Sequence, residues 1–216
     1  VYRKVRNTSR YLLGNLHDFQ PSKDSIKFES LPIIDKWMMQ RTSAIIEEIT
    51  SAYEQHEFSR FFQIIQSFCV IDLSNFYLDI AKDRLYVSSP DDKSRRSCQT
   101  VISHIIENFS VIISPVLCHM AEDIWQNIPY YLPEESVFLR GWPKVSNQWK
   151  DDKIIFCIDE LRELRGLVNK VIEDCRINSY LGASLEAAVR IDPKSNSIKK
   201  ALDFIQKNGD KDVDNF

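Results

Sequence analysis

Residues 58–86 read FSRFFQIIQSFCVIDLSNFYLDIAKDRLY. Phe58, Phe61, Phe62, Ile65, Phe68, Cys69, Phe76 and Ile80 recur at helical steps, which places them along one side of a single long helix. Neither glycine nor proline interrupts the run. The regular spacing makes this aromatic stripe a packing face and not a platform for stacked bases. A helix with so much apolar surface needs neighbours, and the flanking sequence supplies them. Upstream, a first helix is expected over 2–19, with Tyr2, Val5, Ser9, Leu12, Leu13 and Leu16 on one face, and a second over 34–53, with Met38, Ile45, Ile49 and Ala52. Downstream, Ser88-Ser89-Pro90-Asp91-Asp92 forms a turn. A fourth helix then carries Val101, Ile102, Ile105, Phe109 and Ile112 to Ile113.

Ser114-Pro115 predicts a break and a restart, with Ser114 capping a fifth helix over 115–127, because proline loses nothing at a first helical position. Residues 128–150 are irregular, with Trp142 and Trp149 expected to pin the segment to the helices. A sixth helix runs over 152–175, lined by Ile155, Ile158, Leu161, Leu164, Val168 and Val171. Beyond Gly182, residues 185–191 alternate like a half-buried strand, and 197–207 suit a further helix. The expected architecture is all-α: a helical bundle over 1–177, followed over 178–216 by the start of a small α/β junction.

Composition narrows the chemistry. The 216 residues include 28 Lys+Arg against 31 Asp+Glu, a net charge of −3, and only five glycines. That balance excludes a polycationic tail or a disordered acidic chain, but permits a basic face on a neutral body. Five glycines do not furnish the turns and phosphate cradles of Rossmann or P-loop folds, and no G-x-x-x-x-G-K, G-x-G-x-x-G or G-x-S-x-G occurs. The cysteines, Cys69, Cys98, Cys118, Cys157 and Cys175, are too scattered for a zinc site and read as reduced thiols. None of His17, His56, His104 or His119 follows a glutamate at the Glu-x-x-His spacing of a di-metal bundle. No apolar run approaches the ~20 residues of a membrane span. Starting at Val1 and ending on Asp214-Asn215-Phe216, the chain reads as a fragment of a longer soluble protein.

Charge placement is more telling. Arg3, Lys4, Arg6 and Arg10 precede the first acid, Asp18. On a helical wheel Arg3, Arg6 and Arg10 form a stripe roughly 110° from the apolar face, bordered by Asn7. Arginine's planar fork suits phosphates, and asparagine offers a donor and an acceptor to base edges in a single-stranded loop. The alternative is a solvated face paired with acids on neighbouring helices. Lys82, Arg84, Lys93, Arg95 and Arg96 form a second basic group, with Arg95 and Arg96 at a helix start where the dipole disfavours cations. For these, salt bridging to nearby aspartates competes with an RNA-facing role.

The same residues carry a resemblance. Tyr2-Arg3-Lys4-Val5-Arg6-Asn7-Thr8 with Leu12-Leu13-Gly14-Asn15-Leu16 resembles the opening helix of the anticodon-binding domain of isoleucyl-tRNA synthetases of the bacterial or organellar type. Leu73-Ser74-Asn75-Phe76-Tyr77-Leu78-Asp79, Lys82-Asp83-Arg84-Leu85-Tyr86, Arg95-Arg96-Ser97-Cys98-Gln99-Thr100-Val101, Ser114-Pro115-Val116-Leu117, Ala121-Glu122-Asp123-Ile124-Trp125 and Gly182-Ala183-Ser184-Leu185-Glu186-Ala187 are similar to later segments, in unbroken order across about residues 1–191. The resemblance implies a class I parent enzyme that joins isoleucine to its tRNA with ATP and magnesium. Its His-Ile-Gly-His and Lys-Met-Ser-Lys-Ser signatures, its editing domain and its zinc cysteines are absent here. This segment is therefore expected to be non-catalytic and to hold no cofactor. Ala183 and Ala188 stand where the family usually has lysines.

The resemblance also implies tRNA contact by Arg3, Arg6, Asn7 and Arg10, with Lys82, Arg84, Arg95 and Arg96 as candidates for backbone phosphates. The expected partner is isoleucine-accepting tRNA, with no DNA or membrane partner, for a monomer in the cytoplasm or an organellar matrix. A valyl- or leucyl-type anticodon domain and a helical interaction module without RNA affinity are the competing readings.

Overall fold

The computed structural model describes residues 1–145, 149–183 and 186–208. The chain forms two compact units, Val1–Lys150 and a second from Asp151 onward. This division falls earlier than the boundary expected at 177/178, because the helix after Asp151 packs with the last helix.

In the first unit, α1 spans Tyr2–Gly14, α2 Pro21–Asp24 and α3 Ile33–Glu54. The helix expected over 58–86 is continuous. It begins as α4 (Phe58–Ser67), widens into a π-helical segment (Phe68–Tyr77) and ends as α5 (Leu78–Tyr86). In the wide segment the Ser74 hydroxyl donates to the Cys69 carbonyl five residues back, at 2.7 Å. By length and hydropathy this 29-residue helix matches a membrane span, contrary to the sequence expectation. In the bundle its apolar side is occupied: Phe61, Ile65, Phe68, Cys69, Leu73 and Tyr77 are all buried.

Helix α6 (Lys93–Ile113) is the central rod, capped by Asp92, whose carboxylate accepts from the Ser94 amide at 2.7 Å. α7 spans Cys118–Gln126. The predicted restart at Pro115 is corrected: Ser114 is the C-cap of α6, and the Val116 and Leu117 amides bond back to the Ile113 carbonyl. Pro115 thus lies in a tight turn just past a helix end, another place where its missing N–H costs nothing.

α3 packs on both α4 and α6, and α1 lies against α4, the π segment, α6 and α7. Helix α3 ends with His56 in the left-handed region (φ 58°) and the Glu57 amide bonded to the Ala52 carbonyl at 2.8 Å. The loop tryptophans pin their segment as expected. Trp142 Nε1 donates to Thr50 Oγ1 at 2.9 Å, and Trp149 stacks on Phe28 at 5.6 Å and meets His104 edge-on at 4.9 Å. Burial, with the Arg140 charge adding to it, pushes the His104 imidazole down to about 4.

In the second unit, α8 (Asp152–Ile177) packs with α9 (Asn196–Asn208). Ile154, Cys157, Ile158 and Leu161 are buried on α8, while Val171, expected on the apolar side, is exposed. The strand expected over 185–191 does not form among the described residues 186–191. Among the described residues no segment pairs with them, and an unpaired alternating run gains nothing from extension. Ser184, Leu185 and the terminal Asp214-Asn215-Phe216 lie outside the described residues.

Candidate nucleic-acid interface

Helix α1 is amphipathic. Val5, Thr8, Ser9 and Leu12 face the bundle, and the Ser9 hydroxyl donates to the Val5 carbonyl at 3.0 Å. At about 100° per residue, Arg6 and Arg10 fall on one flank of this buried stripe, Lys4 and Tyr11 on the other, and Arg3 and Asn7 on the crest. The helix is therefore a ridge between two grooves. The first, about 800 Å³, runs between α1 and α7, where Arg6 and Arg10 share a lining with His119, Asp123 and Asn127. The second, about 340 Å³, separates α1 from the π segment and α5, and includes Lys4, Asn7 and Lys82.

Arg3, Arg6, Asn7 and Arg10 are all exposed, and none of their side chains forms a hydrogen bond or ion pair with a described residue. The salt-bridged alternative weighed for this stripe has no acid at contact distance, although Asp123 lines the same groove. The first turn of α1 contains no acid either, so Arg3 and Lys4 sit uncompensated at the positive end of the helix dipole. Folding alone gives no reason for cations there.

The second basic group behaves differently. Arg84 is 4% exposed and forks onto Asp35, Nη1 to Oδ2 and Nη2 to Oδ1, both at 2.9 Å. The same carboxylate accepts from the Tyr77 hydroxyl at 2.8 Å and the Ser97 hydroxyl at 2.6 Å. Buried in this cluster, Arg84 has no path to a phosphate. Its expected contact is corrected, because a fully enclosed carboxylate needs a cation beside it. Arg95 Nη2 binds both oxygens of Asp18 at 2.9 Å. Arg96 Nη1 donates to the Asp18 carbonyl and to Gln99 Oε1, both at 2.9 Å. Both arginines are mostly covered. Burial alone would raise the Asp18 carboxyl, but the Gln99 amide and the Arg95 guanidinium outweigh it and hold Asp18 below the usual carboxylate range. Lys82 is exposed and pairs with Asp79 at 2.9 Å.

The structure thus gathers Arg3, Arg6, Asn7 and Arg10 on one ridge, brings Lys82 to its second groove, and draws Arg84, Arg95 and Arg96 away. Sequence reasoning missed His119, Asp123 and Asn127. Their spacing of four places them on one face of α7, and that signal was available. It also missed Tyr11, Ser74 and Tyr86, for which only the fold supplies the neighbourhood. Ala183 and Ala188 are both exposed.

Residues 35–191 match the family described as the anticodon-binding domain of tRNA ligase. The chain is 62% identical over 214 residues, 99% of its length, to an isoleucine–tRNA ligase of Synechococcus sp. (strain CC9311). It is 63% identical over 214 residues to one of Prochlorococcus marinus (strain MIT 9211), and 60% identical over 214 residues to one of Prochlorococcus marinus (strain MIT 9313), again 99% of its length in both cases. It spans 22% of the length of each of these relatives. A bundle without strands among its described residues, an arginine ridge without acid partners, and a match across most of its length place this chain in the family of anticodon-binding domains of tRNA ligases.

Proposed function

We propose that this chain is the anticodon-stem and anticodon-loop-binding part of an isoleucine–tRNA ligase, whose whole protein joins isoleucine to its tRNA with ATP. The observation that carries the reading is the set of exposed arginines on α1, Arg3, Arg6 and Arg10, held without acid partners beside an open groove. The chain's own residues bind and orient. The arginines neutralise phosphates, and Asn7 presents donor and acceptor groups to a base edge. Lys82 and the rims of Arg95 and Arg96 are secondary points for backbone phosphates. The ATP, magnesium and zinc of such an enzyme belong to other parts of it. Among the described residues no group of three or more His, Cys, Asp or Glu side chains is placed to hold a metal. A cytoplasmic or organellar-matrix setting and a single copy per tRNA belong to the same reading.

A salt-dependent titration of the chain tests it, with isoleucine tRNA and with the same tRNA carrying a replaced anticodon. Tighter binding to the native anticodon places base reading in this segment. Weak binding that is equal for both and falls steeply with salt assigns it backbone contacts alone. No binding at low salt to either tRNA refutes the proposal.

A further inference from the structure

Three aromatic rings meet where α3 turns into α4. Tyr53, near the end of α3, lies with its ring centroid 6.3 Å from that of Phe58 at the start of α4, and 5.7 Å from that of Trp142 in the irregular segment, both at steep angles. The fully buried Phe61 stacks on Tyr53 at 5.1 Å and anchors the group in the core. Its outer members reach solvent: Phe58 is 50% exposed and Trp142 39%. The polar atoms of the other two rings are already used. Tyr53 Oη donates to the Ile112 carbonyl, and Trp142 Nε1 to Thr50 Oγ1, both at 2.9 Å. What the rings still offer is their π faces, which attract cations.

Acids frame these rings. Glu47, Thr50 and Glu54 follow one another at three and four residues along one face of α3, so the indole N–H sits on Thr50 between two carboxylates. Both glutamates are exposed, and neither forms an ion pair with a described residue. The cations close by are committed elsewhere. Arg60 pairs with Glu57 at 3.0 Å, and Arg41 with Glu48 at 3.0 Å and Asp72 at 2.9 Å. Arg140 acts on His104 and Glu107 of α6, and Lys144, two residues beyond Trp142, offsets part of the acidic charge. A polyanion is repelled here, and a wholly apolar segment would leave the carboxylates unpaired. An arginine or lysine satisfies both features, with its stem on the rings and its head at a glutamate.

We propose that Tyr53, Phe58 and Trp142, with Glu47 and Glu54, form a docking surface for a basic segment of a second, different polypeptide, anchored by an arginine or lysine laid across the Trp142 ring. The surface is carried by α3, α4 and the irregular segment and uses no residue of the arginine ridge. The inference therefore goes beyond the RNA-binding reading and does not rest on it.

The probe is a short labelled peptide of alanine and leucine carrying two arginines, with a twin in which citrulline, which keeps the shape and loses the charge, replaces both. Fluorescence anisotropy measures their binding to the whole chain and to the whole ligase. The arginine peptide should bind about tenfold more tightly than its twin, and Trp142→Ala should remove most of that preference. Because Trp142 also pins its segment, a second variant changes only exposed side chains: Glu47→Lys with Glu54→Lys should abolish the preference. The same two charges reversed on α8, Asp152→Lys with Glu163→Lys, should leave it intact, which separates this surface from the charge of the chain as a whole. A preference that survives reversal at Glu47 and Glu54, or that falls equally with the α8 pair, overturns the proposal. So does binding by the chain but not by the whole ligase, because the surface is then covered from within the ligase. Isoleucine tRNA binding is read separately, so neither result bears on the arginine ridge.

Discussion

Two groups of arginines on the first unit differ in nearly everything except residue type. On α1, Arg3, Arg6 and Arg10 are exposed and meet no acid. On α5 and α6, Arg84, Arg95 and Arg96 are enclosed and held by Asp35 and Asp18. Local sequence does not separate them: both groups are dense, and both place cations near a helix start, where the dipole opposes them. What separates them is the carboxylate delivered from a distant element. Asp35 comes from α3, and Asp18 from the turn after α1. A cation becomes structural or available according to whether the fold brings an acid to it. The nearest acids in sequence are a poor guide to that.

The hardest way to break the contrast is to remove an acid. Asp35→Ala leaves Arg84 buried without its counter-charge and strands the Tyr77 and Ser97 hydroxyls. The expected cost is about 3–5 kcal/mol in urea unfolding of the first unit. A loss under about 1 kcal/mol would mean the cluster is not a structural centre.

Acid pH loosens the bundle. His104 is held near 4 when folded and titrates near 6.5 when unfolded, so the unfolded chain binds the extra proton between those values. Stability is then complete above about pH 6.5 and declines as pH falls toward 4, by an amount of order 3 kcal/mol. The depressed Asp18 carboxyl adds a second loss at lower pH, as it protonates through its folded value. Unfolding curves for the native chain and His104→Gln should diverge in the first window and share the second. Parallel curves throughout would exclude His104 as the cause.

Binding and stability should dissociate between the two groups. Arg6→Ala is expected to weaken tRNA binding by about 1–3 kcal/mol with little change in melting temperature. Arg96→Ala should lower the melting temperature and leave most of the affinity. A reversal of that pattern would reassign both sites.

The mildest change sharpens the comparison. Asp18→Asn keeps the shape of the clamp while releasing the charge of Arg95 and Arg96. It should cost about 1 kcal/mol of stability and steepen the salt dependence of RNA binding by about one counterion. An unaltered slope would show that freed arginines in this position never meet RNA.

These contrasts also mark how far the sequence could be read. The helices of the first unit were legible from their stripes, because a long apolar period survives small boundary errors. Val5, Ser9 and Leu12 already told which side of α1 was inward. The restart at Ser114-Pro115 was misread because a proline just past a helix end and a proline at a helix start leave the same local mark. The alternation at 185–191 was equally local, and a strand exists only when something pairs with it. For the interface, Arg3, Arg6, Asn7 and Arg10 were legible from the late arrival of the first acid. Arg84 was not, because its partner lies 49 residues away. Tyr86 and Ser74 gave no signal of their own, since a wall of a groove is defined by what stands opposite it.

The arginine ridge sits on a chain whose net charge is −3. An approaching polyanion is therefore repelled by the net charge and attracted along α1. Such a field does more to select orientation than to raise affinity, since encounters on other faces are turned away before contact. Capture by this domain should be slow for its charge density but seldom misdirected, and added salt should erase the directional preference along with the attraction.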